Sequence, residues 1–349
     1  MSINVILSSL LSISIFTTLT TYAETEVKPF YSGTILLPGI EQALVLNHRN
    51  RSESGGFSAM WLSKDCKTTW FISDYSQVSE GDLKEQPVSK SKWFETKNIL
   101  DQTGRIKSIN VTYSGQLKAL DGSVLGGAAE SVVWHNNGLL LSLDDTGNLL
   151  KYSVNEKYQT QPSVTQIRNA LMAKPTIAYK QPQLGQGNAG LESITITEDG
   201  SILSMWEKYK LSDKFVPVQI IDKQGDAIST NYRAVSSPKD ITTLQSGEII
   251  VLEKDWLGAK GSRLRLSLLD QKSLKTSNEL SSVTLFDRTE LAYDNFEGMA
   301  SCTANGKEWI YLVSDDNGDW HTKDVEEKGR ERQKTLFIGF EVNKLLSHQ

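Results

Sequence analysis

Carboxylates recur in this chain at both ends of short hydrophobic hairpins. In "DNFEGMASCTANGKEWIYLVSDDN", Asp294, Asn295 and Glu297 precede the first apolar run, and Asp315, Asp316 and Asn317 follow the second. The same grammar returns in "GGFSAMWLSKDCKTTWFISDYSQ", "GAAESVVWHNNGLLLSLDDTGN", "NAGLESITITEDGSILSMWEK" and "PKDITTLQSGEIIVLEKDW". The opening residues are Ser58, Glu130, Glu192, Asp240 and Glu297. The closing ones are Asp74, Asp144 or Asp145, Glu207, Glu253 and Asp315. Taken singly, any of these acids reads as a turn cap or as the partner of a cation such as Arg263, Arg332 or Lys334. Taken together they are hard oxygen ligands, suited to calcium or magnesium before a softer metal. Like charges at one place repel and raise one another's pKa values, so the set calls for a cation or a cationic ligand.

The elements that must position these residues are the hairpins. Their turns carry Asn-Gly, Asp-Gly or Ser-Gly, which suit tight connections. The hairpins recur every 50 to 70 residues or so, the period of β-propeller blades. A pair of β-sandwiches explains that period less well. Two antiparallel strands place the start of the first beside the end of the second, so opening and closing acids share one mouth of the central channel. Five blade cores are visible. At about 50 residues per blade the length predicts six, the sixth built from the N-terminal "YSGTILLPG" region and strands elsewhere. The expected architecture is an all-β, six-bladed propeller forming a single domain over residues 24–349, with loop insertions. One insertion, "VNEKYQTQPSVTQIRNALMAKP", spaces Val164, Ile167, Leu171 and Met172 as a short helix would. Trp61, Trp134, Trp206 and Trp309 lie inside hairpins and read as packing between blades.

Other chemistries find little support. "DDNGDWHTKDVE" outlines a calcium loop from Asp315 to Glu326, but Trp320 stands where glycine belongs. His48, His135, His321 and His348 form no paired ligand spacing, which disfavours a zinc hydrolase. "GGFSAM" lacks the second glycine of a nucleophile elbow, so Ser58 reads as a channel residue first. No glycine-rich nucleotide motif is present, and no nucleotide or organic cofactor is expected. The net charge of -5 and the lack of a basic run argue against nucleic acid. Residues 1–23 carry no charge, and an apolar run ends at Thr21-Tyr22-Ala23, the pattern of a secretory signal peptide. The expected product is a periplasmic or secreted monomer with no transmembrane segment after cleavage.

The ordered set "GGFSAMWLSKD…WFISD", "AESVVWHNNGLLLSLDD", "GNAGLESITITEDGSILSMWEK", "DITTLQSGEIIVLEKDW", "SRLRLSLLD" and "DNFEGMASCTANGKEWIYLVSDDN…RQKTLFIGFEV" resembles the phytase-like family, the "esterase-like activity of phytase" proteins. The resemblance runs from Ser54 to Val342 and departs from the family's usual forms at "AAES" and in the long link "SDDNGDWHTKD". It implies an exported propeller that hydrolyses phosphoester or ester bonds, with calcium held at the acidic mouth. Glu192, Asp294, Glu297 and Asp315 are the candidate metal ligands. Ser58, Asp74, Glu130, Glu192, Glu207, Asp240, Glu253, Arg263 and Lys334 are the candidate channel and substrate residues. The alternative is a propeller without catalysis that binds a small molecule, a protein or another cell-envelope ligand; a propeller lactonase is a third reading. Cys66 and Cys302, the only cysteines, fall near the ends of first hairpin strands in the first and last visible blades. If those blades are neighbours in a closed ring, an oxidising compartment would pair them.

Overall fold

Strands buried on both faces read as continuous apolar runs rather than as alternation. "GLLLSL" at Gly138–Leu143 is such a strand, buried along its whole length. Runs of this kind, punctuated by tight turns, build the described residues into five sheets, antiparallel but for one short edge strand. The computed structural model describes residues 28–29, 31–46, 56–73, 91–126, 129–144, 147–153, 162–180, 190–207, 215–257, 260–276, 279–315 and 334–347. Positive φ angles at Asn136 and Asn137, and at Asn305 and Gly306, close two of the hairpins with the turn geometry that Asn and Gly favour.

Each sheet is one blade. Blade 1 runs outward from Phe57–Leu62 through Thr68–Ser73 and Lys92–Leu100 to Ile106–Gln116, with Lys28–Pro29 at its edge. Blade 2 comprises Ala129–His135, Gly138–Leu143, Asn148–Ser153 and Thr176–Lys180. Blade 3 comprises Leu191–Ile196, Ile202–Trp206, Phe215–Ile221 and Ala227–Arg233, and Glu279–Leu280 joins its outer edge in parallel. Blade 4 comprises Ser237–Thr243, Ile249–Trp256, Ser262–Leu269 and Ser282–Glu290. Blade 5 begins with Asn295–Ala304, Lys307–Asp315 and Leu336–Glu341 and is completed by two strands from the other end of the chain, Ile40–Leu46 and Tyr31–Leu37.

The ring closes at five, not six. The first strands of blades 1 to 5 neighbour one another in order, and that of blade 5 lies against that of blade 1. The N-terminal strands assigned from sequence to a sixth blade are the outer strands of blade 5 instead. The packing agrees, because five hydrophobic cores fill the five interfaces between blades. Phe57, Phe71, Phe94, Tyr311 and Phe337 join blades 1 and 5. Ile250, Leu252, Met299 and Leu312 join blades 4 and 5. Trp206 is buried in the core between blades 2 and 3, and Trp309 in that between blades 1 and 5. Trp61, half-buried, packs on Trp70 with ring centroids 4.9 Å apart.

Cys66 and Cys302 are joined by a disulfide between blades 1 and 5. Beside it, the Thr303 N–H donates to the Lys64 carbonyl at 2.8 Å. The insertion after blade 2 holds a helix at Val164–Met172, capped by the reciprocal Ser163–Gln166 bonds, which buries Ile167, Ala170 and Leu171. Arg168 fastens it to blade 1 through Glu95, at 3.0 and 2.8 Å, and lies 3.3 Å over the Tyr113 ring. Among the described residues no helix is long and apolar enough to cross a membrane. The expected leader 1–23 lies outside the described residues, as do Asp74, Asp145, His48, His321, His348, Arg332 and the calcium-loop outline beyond Asp315.

Candidate functional site

A β-bulge inserts one unpaired residue into a strand and re-aims its side chain. Every first strand of this ring carries one at the same level. Phe57 pairs with Ser73 and Ala59 with Ile72, leaving Ser58 extra. Glu130 is extra between Ala129 and Ser131, and Glu192 between Leu191 and Ser193. Lys239 is extra between Pro238 and Asp240, and Glu297 between Phe296 and Gly298. The five bulged residues are therefore Ser58, Glu130, Glu192, Lys239 and Glu297. The residue in blade 4 is a lysine, one position before the Asp240 expected from sequence.

The closing position shifts in the same way. Ser73, Leu143, Trp206, Glu253 and Ser314 pair with the residues just before the bulges. The closing residues are the next ones along, among them Asp144, Glu207 and Asp315 in blades 2, 3 and 5. In blade 4 that residue is Lys254, not Glu253. One blade thus contributes two lysines to a mouth of acids. Neither Lys239 nor Lys254 was singled out from sequence, although counting the bulge from the hairpin's first residue, "FS", "AE", "LE", "PK", "FE", finds the first of them.

Lys239 organises the mouth. Its Nζ lies 3.1 Å from Glu207, 3.4 Å from Glu192 and 3.6 Å from Glu297. These carboxylates come from blades 3 and 5, on either side of blade 4. Burial disfavours the ammonium, but Glu192, Glu297, Glu207 and Glu130 outweigh it and push the Lys239 pKa well above the ordinary lysine value. Burial also raises Glu192 well above the usual carboxyl range. Lys239 pulls the other way, and Glu130, Glu207 and Glu297 add to the rise. Burial lowers Lys254, which also feels Glu297, Lys239, Glu207 and Asp315. Asn295 donates from Nδ2 to Glu297 at 2.7 Å.

Several sequence candidates stand elsewhere. Asp240 is buried, with the Ser131 hydroxyl at 2.9 Å and the Met299 N–H at 2.6 Å donating to its two oxygens, and the Ile241 N–H at 2.9 Å. Ser131 in turn accepts from the Ile194 N–H at 3.2 Å, so Asp240 ties blades 2, 3, 4 and 5 at the axis. Burial pushes its pKa up. It is a joint rather than a mouth residue, because a one-residue shift along a strand moves a side chain to the other face. Glu253 is fully buried between blades 3 and 4, paired with Arg265 at 2.8 Å and receiving the Val235 N–H at 3.0 Å. Arg263 is paired with Asp287, 2.8 Å away, on the outer strands of blade 4. Asp294 accepts the Lys334 backbone N–H at 3.0 Å. Ser58 donates to the Ala129 carbonyl across the interface of blades 1 and 2.

The candidate metal ligands therefore do not make one cage. Glu192 and Glu297 converge on Lys239, whereas Asp315 lies opposite Asn295 across the hairpin and Asp294 accepts a backbone N–H. Among the described residues no group of three or more His, Cys, Asp or Glu side chains is arranged to hold a metal ion. The donor set does not fit calcium, because an ammonium already stands among its oxygens.

A family model described as "Phytase-like: Esterase-like activity of phytase" matches residues 52–318. No curated protein matches the chain. Among solved structures, sucrose-6-phosphate hydrolase from Lactobacillus gasseri is 10% identical, with 82% of this chain and 59% of that one covered and a TM-score of 0.46. A GH43 β-xylosidase/α-arabinofuranosidase from a compost microbial metagenome is 7% identical over 90% of this chain and 95% of that one, with a TM-score of 0.43. The PQQ-bound aldose sugar dehydrogenase from Streptomyces coelicolor is 12% identical over 92% and 97%, with a TM-score of 0.36. At such scores these likenesses carry no argument about function.

Proposed function

The chain belongs to the phytase-like family, and we propose that it is an exported hydrolase whose site is the mouth around Lys239, acting on an uncharged or cationic ester rather than on a phosphoester. The observation that carries this reading is the convergence of three carboxyls from two blades on one buried ammonium. Burial pushes Glu192 toward its protonated form although the Lys239 ammonium is 3.4 Å away, and Glu207 and Glu297 converge on that ammonium at 3.1 and 3.6 Å. A carboxyl whose environment raises its pKa is suited to act as the general acid of hydrolysis, beside a second carboxyl that handles the water. Glu192 would donate a proton to the leaving oxygen, and Glu207 or Glu297 would take one from the attacking water. Lys254, whose ammonium is not among the three-carboxylate contacts of Lys239, would stabilise negative charge developing on the carbonyl oxygen, and Lys239 would hold the carboxyls in place.

The charge of the mouth bears on the substrate. Among the described residues it gathers Glu130, Glu192, Glu207, Glu297 and Asp315 against Lys239 and Lys254. The acids outnumber the lysines even with Glu192 protonated, so a phosphate dianion is repelled and a neutral or cationic ester is not. The Cys66–Cys302 disulfide supports the exported part of the reading, because such bonds persist in oxidising compartments. A propeller that binds a ligand without catalysis is the second reading, favoured by the way three carboxylates already surround the Lys239 ammonium. The test is turnover of p-nitrophenyl acetate, p-nitrophenyl butyrate and p-nitrophenyl phosphate by the purified chain. Hydrolysis of the carboxylic esters, reduced about 100-fold or more by Glu192→Gln, is expected. Hydrolysis of the phosphate alone, or ester turnover that survives both Glu192→Gln and Glu297→Gln, refutes the assignment. No turnover at all selects the binding propeller.

A further inference from the structure

We propose that Lys239 is the resident cation of the mouth, an ammonium built where a divalent ion would otherwise neutralise the ring, and that its removal converts the mouth into a calcium site. This inference stands on the register and contacts of Lys239, whether or not the mouth hydrolyses an ester.

The first support is position. The bulge that presents Glu130, Glu192 and Glu297 from blades 2, 3 and 5 presents Lys239 from blade 4. The lysine arrives by the same backbone device as the acids, so the ring itself places its charge among theirs. The second support is contact. An ammonium has three protons to donate, and Glu207, Glu192 and Glu297 lie at 3.1, 3.4 and 3.6 Å from this one. The third is burial: Lys239 is only 9% exposed, so its charge is not replaced by bulk solvent. Calcium requires six to eight oxygens at about 2.3–2.6 Å. An ion drawing on Glu192, Glu207 and Glu297 would have to lie close to Nζ, where like charges repel strongly. Ammonium and calcium are therefore alternatives at this place.

Removing the ammonium leaves Glu192, Glu207 and Glu297 without their shared partner, with Lys254 the remaining lysine that the bulge and closing positions bring to the mouth. Lys239→Ala opens room for a hydrated ion. Lys239→Gln keeps the length of the side chain and adds a neutral oxygen, so it serves should the alanine variant fail to fold. Lys239→Arg keeps the charge and is the control. The experiment is calcium titration by calorimetry of the full mature chain with its disulfide intact, together with calcium-dependent melting. The expected result is one more calcium site in Lys239→Ala or Lys239→Gln than in the wild type or Lys239→Arg. Its affinity should fall in the range of about 10⁻⁵ to 10⁻³ M. Calcium should raise the melting temperature of the neutral variants through that site, and Glu297→Gln added to Lys239→Gln should abolish it. Equal numbers of sites in all the proteins overturn the proposal. So does a wild-type calcium site that disappears in Glu192→Gln or Glu297→Gln.

Discussion

Replacing Asp240 by Ala deletes a carboxylate that accepts the Met299 N–H from blade 5, the Ser131 hydroxyl from blade 2 and the N–H of its own neighbour Ile241. The site is closed, with Asp240 itself 2% exposed, so bulk water does not take over these donors. A buried donor left without an acceptor costs roughly 1–3 kcal/mol. The two donors from other blades together give about 2–6 kcal/mol. Relief of the buried carboxyl's own desolvation, which pushes its pKa up, offsets part of that. A net loss of about 3 kcal/mol is expected, a large share of the 5–15 kcal/mol or so that holds a typical domain. Asp240→Asn keeps the shape and one accepting oxygen but turns an NH₂ toward the remaining donors, so about 2 kcal/mol is expected. Urea unfolding followed by tryptophan fluorescence, with the disulfide intact, measures both. A raised folded pKa means that this carboxyl's contribution is full below the ordinary Asp value of about 3.9 and is lost as pH rises through the folded value. The stability advantage of wild type over Asp240→Asn should therefore shrink as pH rises above about 4, through the raised folded pKa. A loss below about 1 kcal/mol for Asp240→Ala refutes the axial-joint assignment.

Glu192 obeys the same sign. Its stabilising contribution is full below about pH 4.3 and declines as pH rises through its raised folded pKa, so melting temperature against pH should flatten over that window in Glu192→Gln. The disulfide spans a sequence separation of 236 residues, for which chain entropy gives about 5 kcal/mol. Reduction, or Cys66→Ala with Cys302→Ala, should lower the unfolding midpoint accordingly, and an unchanged midpoint refutes a role for the bond in closing the ring. Arg168→Ala strands Glu95, which is 3% exposed, and removes the helix's bond to blade 1, a loss of about 3 kcal/mol. Hydrogen exchange should accelerate in residues 164–172 while the mouth is unaffected. N-terminal sequencing of the exported chain should begin at Glu24, and a chain still carrying residues 1–23 refutes the cleavage assignment.

What could be read from the sequence was what local chemistry encodes. Turns such as Asn136-Asn137 and Asn305-Gly306 need positive φ, and the residues that supply it mark the hairpins. The helix was legible from the spacing of Ile167 and Leu171, which it buries. The number of blades was not, because blade 5 is assembled from both ends of the chain. No local signal in Tyr31–Leu37 or Ile40–Leu46 names Leu336–Glu341 as the partner. Among the opening and closing positions, the register differs from the expected one in blade 4. There "PKD" and "EKD" set a lysine directly beside an acid, and a search for recurrent acids selects Asp240 and Glu253. The bulge that decides between neighbours adds one residue without changing the hydrophobic run around it, so period alone cannot reveal it.

The two positions at the bulge carry opposite constraints, and that explains how such a mouth can vary while the ring stays fixed. The residue after each bulge is Ala59, Ser131, Ser193, Asp240 or Gly298, and four of the five are small. At Gly298 an added Cβ would lie 2.8 Å from the Val313 Cγ1 and 3.2 Å from the Ala59 carbonyl carbon, so the first strands meet too closely for bulk. Asp240 is tolerated in this set because its oxygens replace packing with hydrogen bonds to Ser131 and Met299. The bulged residue itself leaves the ladder, so it makes polar contacts across the mouth and takes no part in the apolar packing between blades. Serine, glutamate and lysine all occur there in this one chain. Substitution at the bulge should therefore alter charge and ligand at the mouth at small cost to folding, as long as the sum of charges around Lys239 is respected. Substitution one residue later should break the ring without touching its chemistry.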